Sequence, residues 1–475
     1  MDESTTTIPN APTTARSLWS DLKDAIRGTE LDYTQGSIGR AILLLSIPMV
    51  LEMLMESTFA IVDVYFVSAL GASAVATVGL TESFLTLMYA VGMGLSMGTT
   101  ALVARRIGEK NAAGAADAAV QSIIIAVAAS LPFAIAGIFF SRELLALMGA
   151  DAWSIEHGYR YTAWMLGGNA VIMLIFVINA VFRGAGDAAT AMRVLLISNS
   201  INIILDPILI FGWGPFPAMG IEGAAIATNI GRGIGVLVQI GILLRGAKHI
   251  RILLSQISFH AEVMLQLVKT SLGGIGQMII AMTSWIFLVR IMSGFGSEAV
   301  AGYTIAVRIF IFTLMPSWGM SNAAATLVGQ NLGAGQPDRA ERSVWVTGFA
   351  NMGFLAVVSV LYIIFSEQLV MIFTSDPGVV AYGSQCLTVI SYGYIFYAWG
   401  MVMPQAFNGA GDTLTPTKIN IVCFWLLEVP LAYLLALEWG VGVTGVFWSI
   451  VIAESIAGLI GIWLFRKGKW KTVKV

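Results

Sequence analysis

Glu52, Glu56 and Asp63 fall within one long apolar run. On a helix they would stand within about 40° of one another, as a single acidic stripe. Asn199, Asn202 and Asp206 share a face of a second apolar run, and in a third Thr228 and Arg232 lie one turn apart. An ionisable side chain in such a run is costly unless paired or hydrated, so each one is a functional candidate. Pro207 follows Asp206, and proline has no N–H, so the carbonyl of Ile203 loses its helical donor. A freed carbonyl beside Asn202 and Asp206 suits a hard cation, which takes oxygen ligands. Two carboxylates brought close share a proton or a cation rather than stand bare. The chemistry these residues can do is therefore cation or proton binding. A competing reading is structural: Asn and Thr also join helices by hydrogen bonds, which applies most to Asn179 and Asn199 and least to Asp63 and Asp206. Glu52 and Glu56 face the same choice, lining a substrate path or shuttling protons, or, for Glu56, pairing with Arg232.

The elements that must hold these residues follow from composition. Of 475 residues 57% are hydrophobic and 11% charged, with mean hydropathy +0.82. Soluble proteins carry about 25% charged residues, so this is a polytopic membrane protein. A net charge of −2 gives no reason to expect nucleic acid as a partner. Cys386 and Cys423, with His157, His249 and His260, have no metal-ligand spacing, and no Ser/His or paired-metal motif supports an intramembrane enzyme.

A helix needs about 20 apolar residues to cross the bilayer. Such runs occur near 41–69, 77–103, 116–140, 159–181, 190–212 and 221–244. A second set lies near 262–292, 300–328, 343–365, 379–406, 417–437 and 442–465. These are too long and too unbroken for β-barrel strands. With both termini cytoplasmic, the tails and even-numbered loops hold twenty-one of the 26 Lys and Arg residues, Arg105 and Arg183 among them. Only Arg142 and Arg160 lie outside, and Arg232, Arg290 and Arg308 fall within spans. Residues 1–40 form a polar cytoplasmic tail without a signal-peptide core. Within it Leu18, Trp19, Leu22, Ala25 and Ile26 have helical spacing, as an interfacial helix or as a loosely ordered tail.

An internal repeat divides the chain. Phe182-Arg183-Gly184-Ala185-Gly186-Asp187 recurs as Phe407-Asn408-Gly409-Ala410-Gly411-Asp412, 225 residues on. Leu102–Gly108 matches Leu327–Gly333 at the same offset, and Gly220–Gly223 matches Gly442–Gly445 at 222. Six spans separate each pair, and an even number makes the repeats parallel. The expected fold is an all-α membrane protein of twelve transmembrane helices in two pseudo-symmetric six-helix lobes. Residues 41–245 form the N-lobe, 246–261 a cytoplasmic linker, 262–466 the C-lobe and 467–475 a basic cytoplasmic tail. Gly184-Ala185-Gly186-Asp187 has no preceding strand to make it a phosphate loop, so it reads as a helix end with Asp187 or Thr190 capping the next helix.

These motifs, together with Ile47-Pro48, Val62-Asp63, Leu205-Asp206-Pro207-Ile208-Leu209-Ile210, Gly223–Thr228 and Gly329–Gly335, carry a resemblance over about residues 35–466. The chain resembles the multidrug and toxic compound extrusion (MATE) transporters, a family of the multidrug/oligosaccharidyl-lipid/polysaccharide exporter superfamily, and its N-lobe acids look most like the prokaryotic DinF-like branch. The resemblance implies a monomeric antiporter of the cytoplasmic (inner) membrane. It would use no cofactor, exporting cationic amphipathic drugs or toxic metabolites against Na⁺ or H⁺. A lipid-linked intermediate flippase of the same superfamily is the rival, for which extra spans and a basic cavity are expected. The family's N-lobe cation site maps onto Asp63, Asn202, Asp206, Thr228 and the main-chain carbonyl of Ala224. Asp63 aligns with Leu288 in the second repeat, so the coupling acids are not duplicated. A cation site in the C-lobe, kept in one branch of the family, is not expected here. The C-lobe acids are Glu428 and Glu454, with Arg290 and Arg308 as candidate partners. An adaptable drug surface would draw on Met49, Met53 and Met173 with Trp164, Tyr394, Tyr397 and Trp399.

Overall fold

The computed structural model describes residues 18–28, 32–246 and 250–474; Arg16, Lys248 and His249 lie outside them. A short helix, α1 (Leu18–Arg27), precedes α2 (Ile38–Ser68), α3 (Ala72–Gly108) and α4 (Ala112–Leu147). The fourth span is made of α5 (Tyr159–Gly167) and α6 (Asn169–Gly184), followed by α7 (Ala188–Phe211) and α8 (Ile221–Arg245). The second lobe holds α9 (Ala261–Met292), α10 (Ser297–Gly333), α11 (Pro337–Met371), α12 (Pro377–Ser391) and α13 (Tyr394–Ala410). A span of α14 (Leu414–Asn420) and α15 (Val429–Tyr433), joined by π-helical turns, and α16 (Val443–Arg466) complete it. Eleven spans are single apolar stretches, and the twelfth is the pair α12 and α13.

That pair departs from the continuous helix expected over 379–406: it bends by 65°. The break falls at Gly393, where a Cβ would press on Val451 of α16 at 3.1 Å. Its partner in the first repeat, Gly168, also stands between two helices, α5 and α6, but residues Ser154–Gly184 run on as one span without such a bend.

The repeat is visible in backbone detail. Phe140 in α4 and Phe365 in α11, 225 residues apart, are the non-helical kinks of their helices, with φ −126° and −117°. Asp187 accepts from the Thr190 hydroxyl at 2.7 Å and Asp412 from Thr415 at 2.6 Å, tying down the starts of α7 and α14 alike. Each lobe has its own apolar core, one around Met88, Ile178 and Phe182, the other around Tyr303, Tyr394 and Phe447. Large apolar side chains such as Leu131, Ile138 and Phe139 stay exposed on the outside, as a lipid-facing surface requires.

On the side of the bundle that carries α1 and the C-terminal segment, here the tail side, the lobes close on each other. α3 and α10 cross there at their ends. A Cβ on Gly108 would lie 2.0 Å from the Gln330 carbonyl oxygen, and one on Gly333 2.2 Å from that of Arg105. These are the same positions in the two repeats, so the recurring Leu102–Gly108 motif builds a crossing of two backbones about the pseudo-two-fold axis. Gln330 Nε2 donates to the Gly184 carbonyl (2.9 Å), and Thr326 Oγ1 to that of Arg183 (3.1 Å). Arg105 donates to the carbonyls of Ala410 (3.3 Å) and Val473 (3.0 Å), and Arg339 to those of Tyr33, Gln35 and Gly36. Among the described residues the hydrogen bonds joining the lobes all lie between the bundle's middle, at Met97–Asn408, and this side.

Gly108→Leu is therefore expected to wedge the lobes apart on the tail side. Spin labels at Glu109 and Asp338 should move apart by several ångströms; an unchanged distance with normal transport would reject the crossing as a gate. The two native cysteines are buried and would not compete for label.

The described parts of the tails are packed. α1 is helical, and Arg40 pairs with Asp21 and Asp24 at 3.0 Å each. In the linker Ile250 and Ile252 join the N-lobe core, and His260 contacts Asp117 of α4 at 2.7 Å. Trp470 is fully buried against Phe465, and Lys471 pairs with Glu341 at 2.6 Å.

Candidate functional site

A cavity of about 330 Å³ lies between the lobes, walled on the N-lobe side by Glu52, Met53, Glu56, Asn179, Arg183 and Arg232. It runs into a C-lobe chamber of about 600 Å³ through shared walls that include Met97, Met315 and Trp318. Both volumes suit small organic molecules.

The charges on the N-lobe wall are matched. Arg183 Nη1 donates to Glu52 Oε1 at 2.8 Å, and Asn179 Nδ2 reaches the same oxygen at 3.1 Å. Gln239 Nε2 in turn donates to Asn179 Oδ1 at 2.5 Å. Arg232 donates to Glu56 Oε1, and Asn199 Nδ2 to Glu56 Oε2 at 3.2 Å, with the Arg232 guanidinium 5.1 Å from the Phe59 ring centre. Two glutamates thus face two arginines.

The C-lobe makes the equivalent contact without charge. Gln277 and Asn408, at the repeat positions of Glu52 and Arg183, exchange amide hydrogen bonds at 2.9 and 3.2 Å. This comparison yields a stability prediction. Removing one partner of a buried ion pair strands the other charge, at a cost of about 3–5 kcal/mol, whereas replacing both is often neutral. Arg183→Ala should therefore lower the thermal unfolding midpoint in detergent strongly. The double change Glu52→Gln with Arg183→Asn, which copies the C-lobe pair, should restore most of the loss. Equal damage from both variants would show that the charges themselves are needed for folding.

Asp63, Asn202, Asp206 and Thr228 form a second group inside the N-lobe, apart from the walls of that cavity. α2 carries Asp63, α7 carries Asn202 and Asp206 one turn apart, and α8 carries Thr228. Asn202 Nδ2 donates to Thr228 Oγ1 at 3.1 Å, which joins the two helices. Asp206 is fully buried, and the charge of Asp63 acts on it. Four oxygens here have no hydrogen-bond partner: Asp63 Oδ1, Asn202 Oδ1 and both carboxylate oxygens of Asp206. Bare buried acceptors are costly, and oxygens so grouped are the donor set that a hard cation or a proton satisfies. Ala224 is buried one turn before Thr228 on α8.

Several expectations need correction. Met173 is fully buried in the N-lobe core and lines neither cavity, because it packs beside Gly92 of α3. Met49 and Tyr394 are likewise buried, and Trp164 donates to Glu222 at the periphery. Of that proposed drug surface Met53 and Tyr397 reach the cavities. Arg183, counted with the loop cations, is instead a cavity residue. Glu428 takes its hydrogen bond from Ser284 (2.7 Å) and Glu454 from Tyr397, so the partners are not Arg290 and Arg308. Gln239, Gln277 and Asn408 were missed, although the repeat offset from Glu52 and Arg183 pointed to the last two.

A family model described as MatE matches residues 48–208 and again 274–434, one match per lobe. The chain belongs to the MatE family. Similarity to a probable multidrug resistance protein NorM of Thermotoga maritima is 28% identity, covering 91% of this chain and 93% of that protein. Probable multidrug resistance protein YoeA of Bacillus subtilis is 25% identical over 92% of this chain and 96% of its own. Among solved structures, a MOP superfamily transporter from Pyrococcus furiosus, described as having a binding pocket of reverse polarity, superposes with TM-score 0.86. It has 26% identity, over 93% of this chain and 98% of that one. With its membership of the MatE family and twelve apolar spans, this chain is a multi-pass membrane transporter.

Proposed function

We propose that this MatE protein exports amphipathic, cationic small molecules across the cytoplasmic membrane in exchange for Na⁺ or H⁺, by alternating access. The observation that carries the coupling is the group of unpartnered oxygens on Asp63, Asn202 and Asp206. Names of relatives such as the multidrug export protein MepA of Staphylococcus aureus support the substrate class. The Lys and Arg bias supports a cytoplasmic tail side, and with that orientation closure there corresponds to the outward-facing state. In that state the coupling ion enters the N-lobe group and neutralises it, lowering the cost of burying the carboxylates when the outer side closes. Loss of the ion to the cytoplasm then resets the transporter.

The flippase reading is disfavoured by the matched charges of the cavity, whose two arginines each hold a glutamate. Purified protein in liposomes, with Na⁺ and pH gradients imposed independently, tests the proposal. Substrate movement should follow one of the two gradients. Movement under neither would sink the antiport mechanism.

A further inference from the structure

The N-lobe wall of the central cavity is neutral overall, since Glu52 and Glu56 are each paired with an arginine. The C-lobe chamber is not. Its walls include Glu428 and Glu454 and no Lys, Arg or His among the described residues. Glu428 is 4% exposed. Its Oε2 accepts from Ser284, and its Oε1 has no hydrogen-bond partner among the described residues. Glu454 lies against Gly400 of α13, with Oε2 3.4 Å from where a Cβ would stand there. The same walls include the rings of Trp285 and Tyr397 and the thioethers of Met282 and Met401. Arg232 of the N-lobe aligns with Glu454 at the repeat offset of 222, so the sign of charge is inverted between the lobes at equivalent depth.

We propose that the C-lobe chamber is the binding site for the exported organic cation, with its charged centre held by Glu428 and Glu454 and its flat apolar body between Trp285 and Tyr397. A carboxylate as buried as Glu428 is expensive without a counter-charge, and a cation in the chamber supplies it. Aromatic faces attract cations through their quadrupoles, and methionines adapt to varied shapes. The proposal rests on the export reading above and adds to it that substrate and coupling ion occupy different lobes. They need not displace each other directly.

The test is equilibrium binding of ethidium, a planar cation, to the full-length protein in nanodiscs by fluorescence polarisation, with the anion fluorescein as comparator. The wild type should bind ethidium and not fluorescein. Glu428→Gln combined with Glu454→Gln should weaken ethidium binding by about tenfold or more. Equal ethidium affinity in the wild type and the double variant overturns the proposal, as it would if both acids simply held protons. So does a wild type that binds neither dye or prefers fluorescein. A wild type that binds ethidium at these glutamates but exchanges it for neither Na⁺ nor H⁺ removes the antiport reading and leaves the chamber assignment standing. Should the double variant fail to fold, ethidium monoazide photolysed on the wild type decides. Adducts on α9 and α13 near Trp285 and Tyr397 support the chamber, and adducts confined to α2 and α6 near Glu52 overturn it.

Discussion

Replacing Asp63 by Asn is expected to reduce substrate export to the level of empty liposomes while leaving folded protein in the membrane. Asn is nearly isosteric with Asp but can neither hold a titratable proton nor neutralise a cation. Asp63 Oδ1 has no partner in the fold, so removing its charge strands no other group. The unfolding midpoint should therefore stay level or rise, because the cost of burying a carboxylate disappears. Glu56→Gln makes the contrast. It leaves the buried Arg232 guanidinium without its counter-charge and should lower both stability and transport. Export and stability thus separate at Asp63 and move together at Glu56. Wild-type drug resistance from Asp63→Asn at equal expression would remove Asp63 from the mechanism.

That separation also marks how far the sequence could be read. Twelve spans, the parallel repeat and the polar stripes were legible because hydropathy and helical periodicity are local properties. A helical wheel, however, reports angle and not depth. Glu52 and Asp63 share an angle on α2, yet eleven residues of helix set them about 16 Å apart along its axis. The structure accordingly divides the stripe, with Glu52 and Glu56 on the central cavity and Asp63 in the N-lobe group of α7 and α8. Arg183 was misread for a related reason. It stands next to the end of α6, where charge counting assigns it to a loop, and only the tertiary fold, which sets Glu52 of α2 within 2.8 Å of its guanidinium, shows it turned inward. The 65° bend between α12 and α13 depends on how closely α16 approaches Gly393, a tertiary contact with no signature in the local pattern. Gln277 and Asn408 were within reach, since the repeat that matched Arg183-Gly184 to Asn408-Gly409 also sets Glu52 opposite Gln277.

Asp206→Asn is expected to abolish coupling as completely as Asp63→Asn, and its neighbours distinguish which ion is used. Asp206 is the most deeply buried member of the group, and both of its oxygens lack partners, so it gains most from a bound cation or proton. Thr228 offers a hydroxyl that already accepts from Asn202. Thr228→Val keeps the shape and removes that oxygen. A Na⁺ site needs several oxygen ligands at once, so losing one should weaken Na⁺ binding, measured by isothermal titration, by about tenfold or more. A proton needs one carboxyl only. In that case Thr228→Val should leave pH-driven exchange largely intact, Na⁺ should bind to neither protein, and Asp206→Asn alone should erase the response to a pH gradient. Asn202→Leu should follow Thr228→Val in either case, because the two share a hydrogen bond. Coupled exchange that survives Asp206→Asn would exclude both versions, since Asp63 would then be the one carboxylate left in that group.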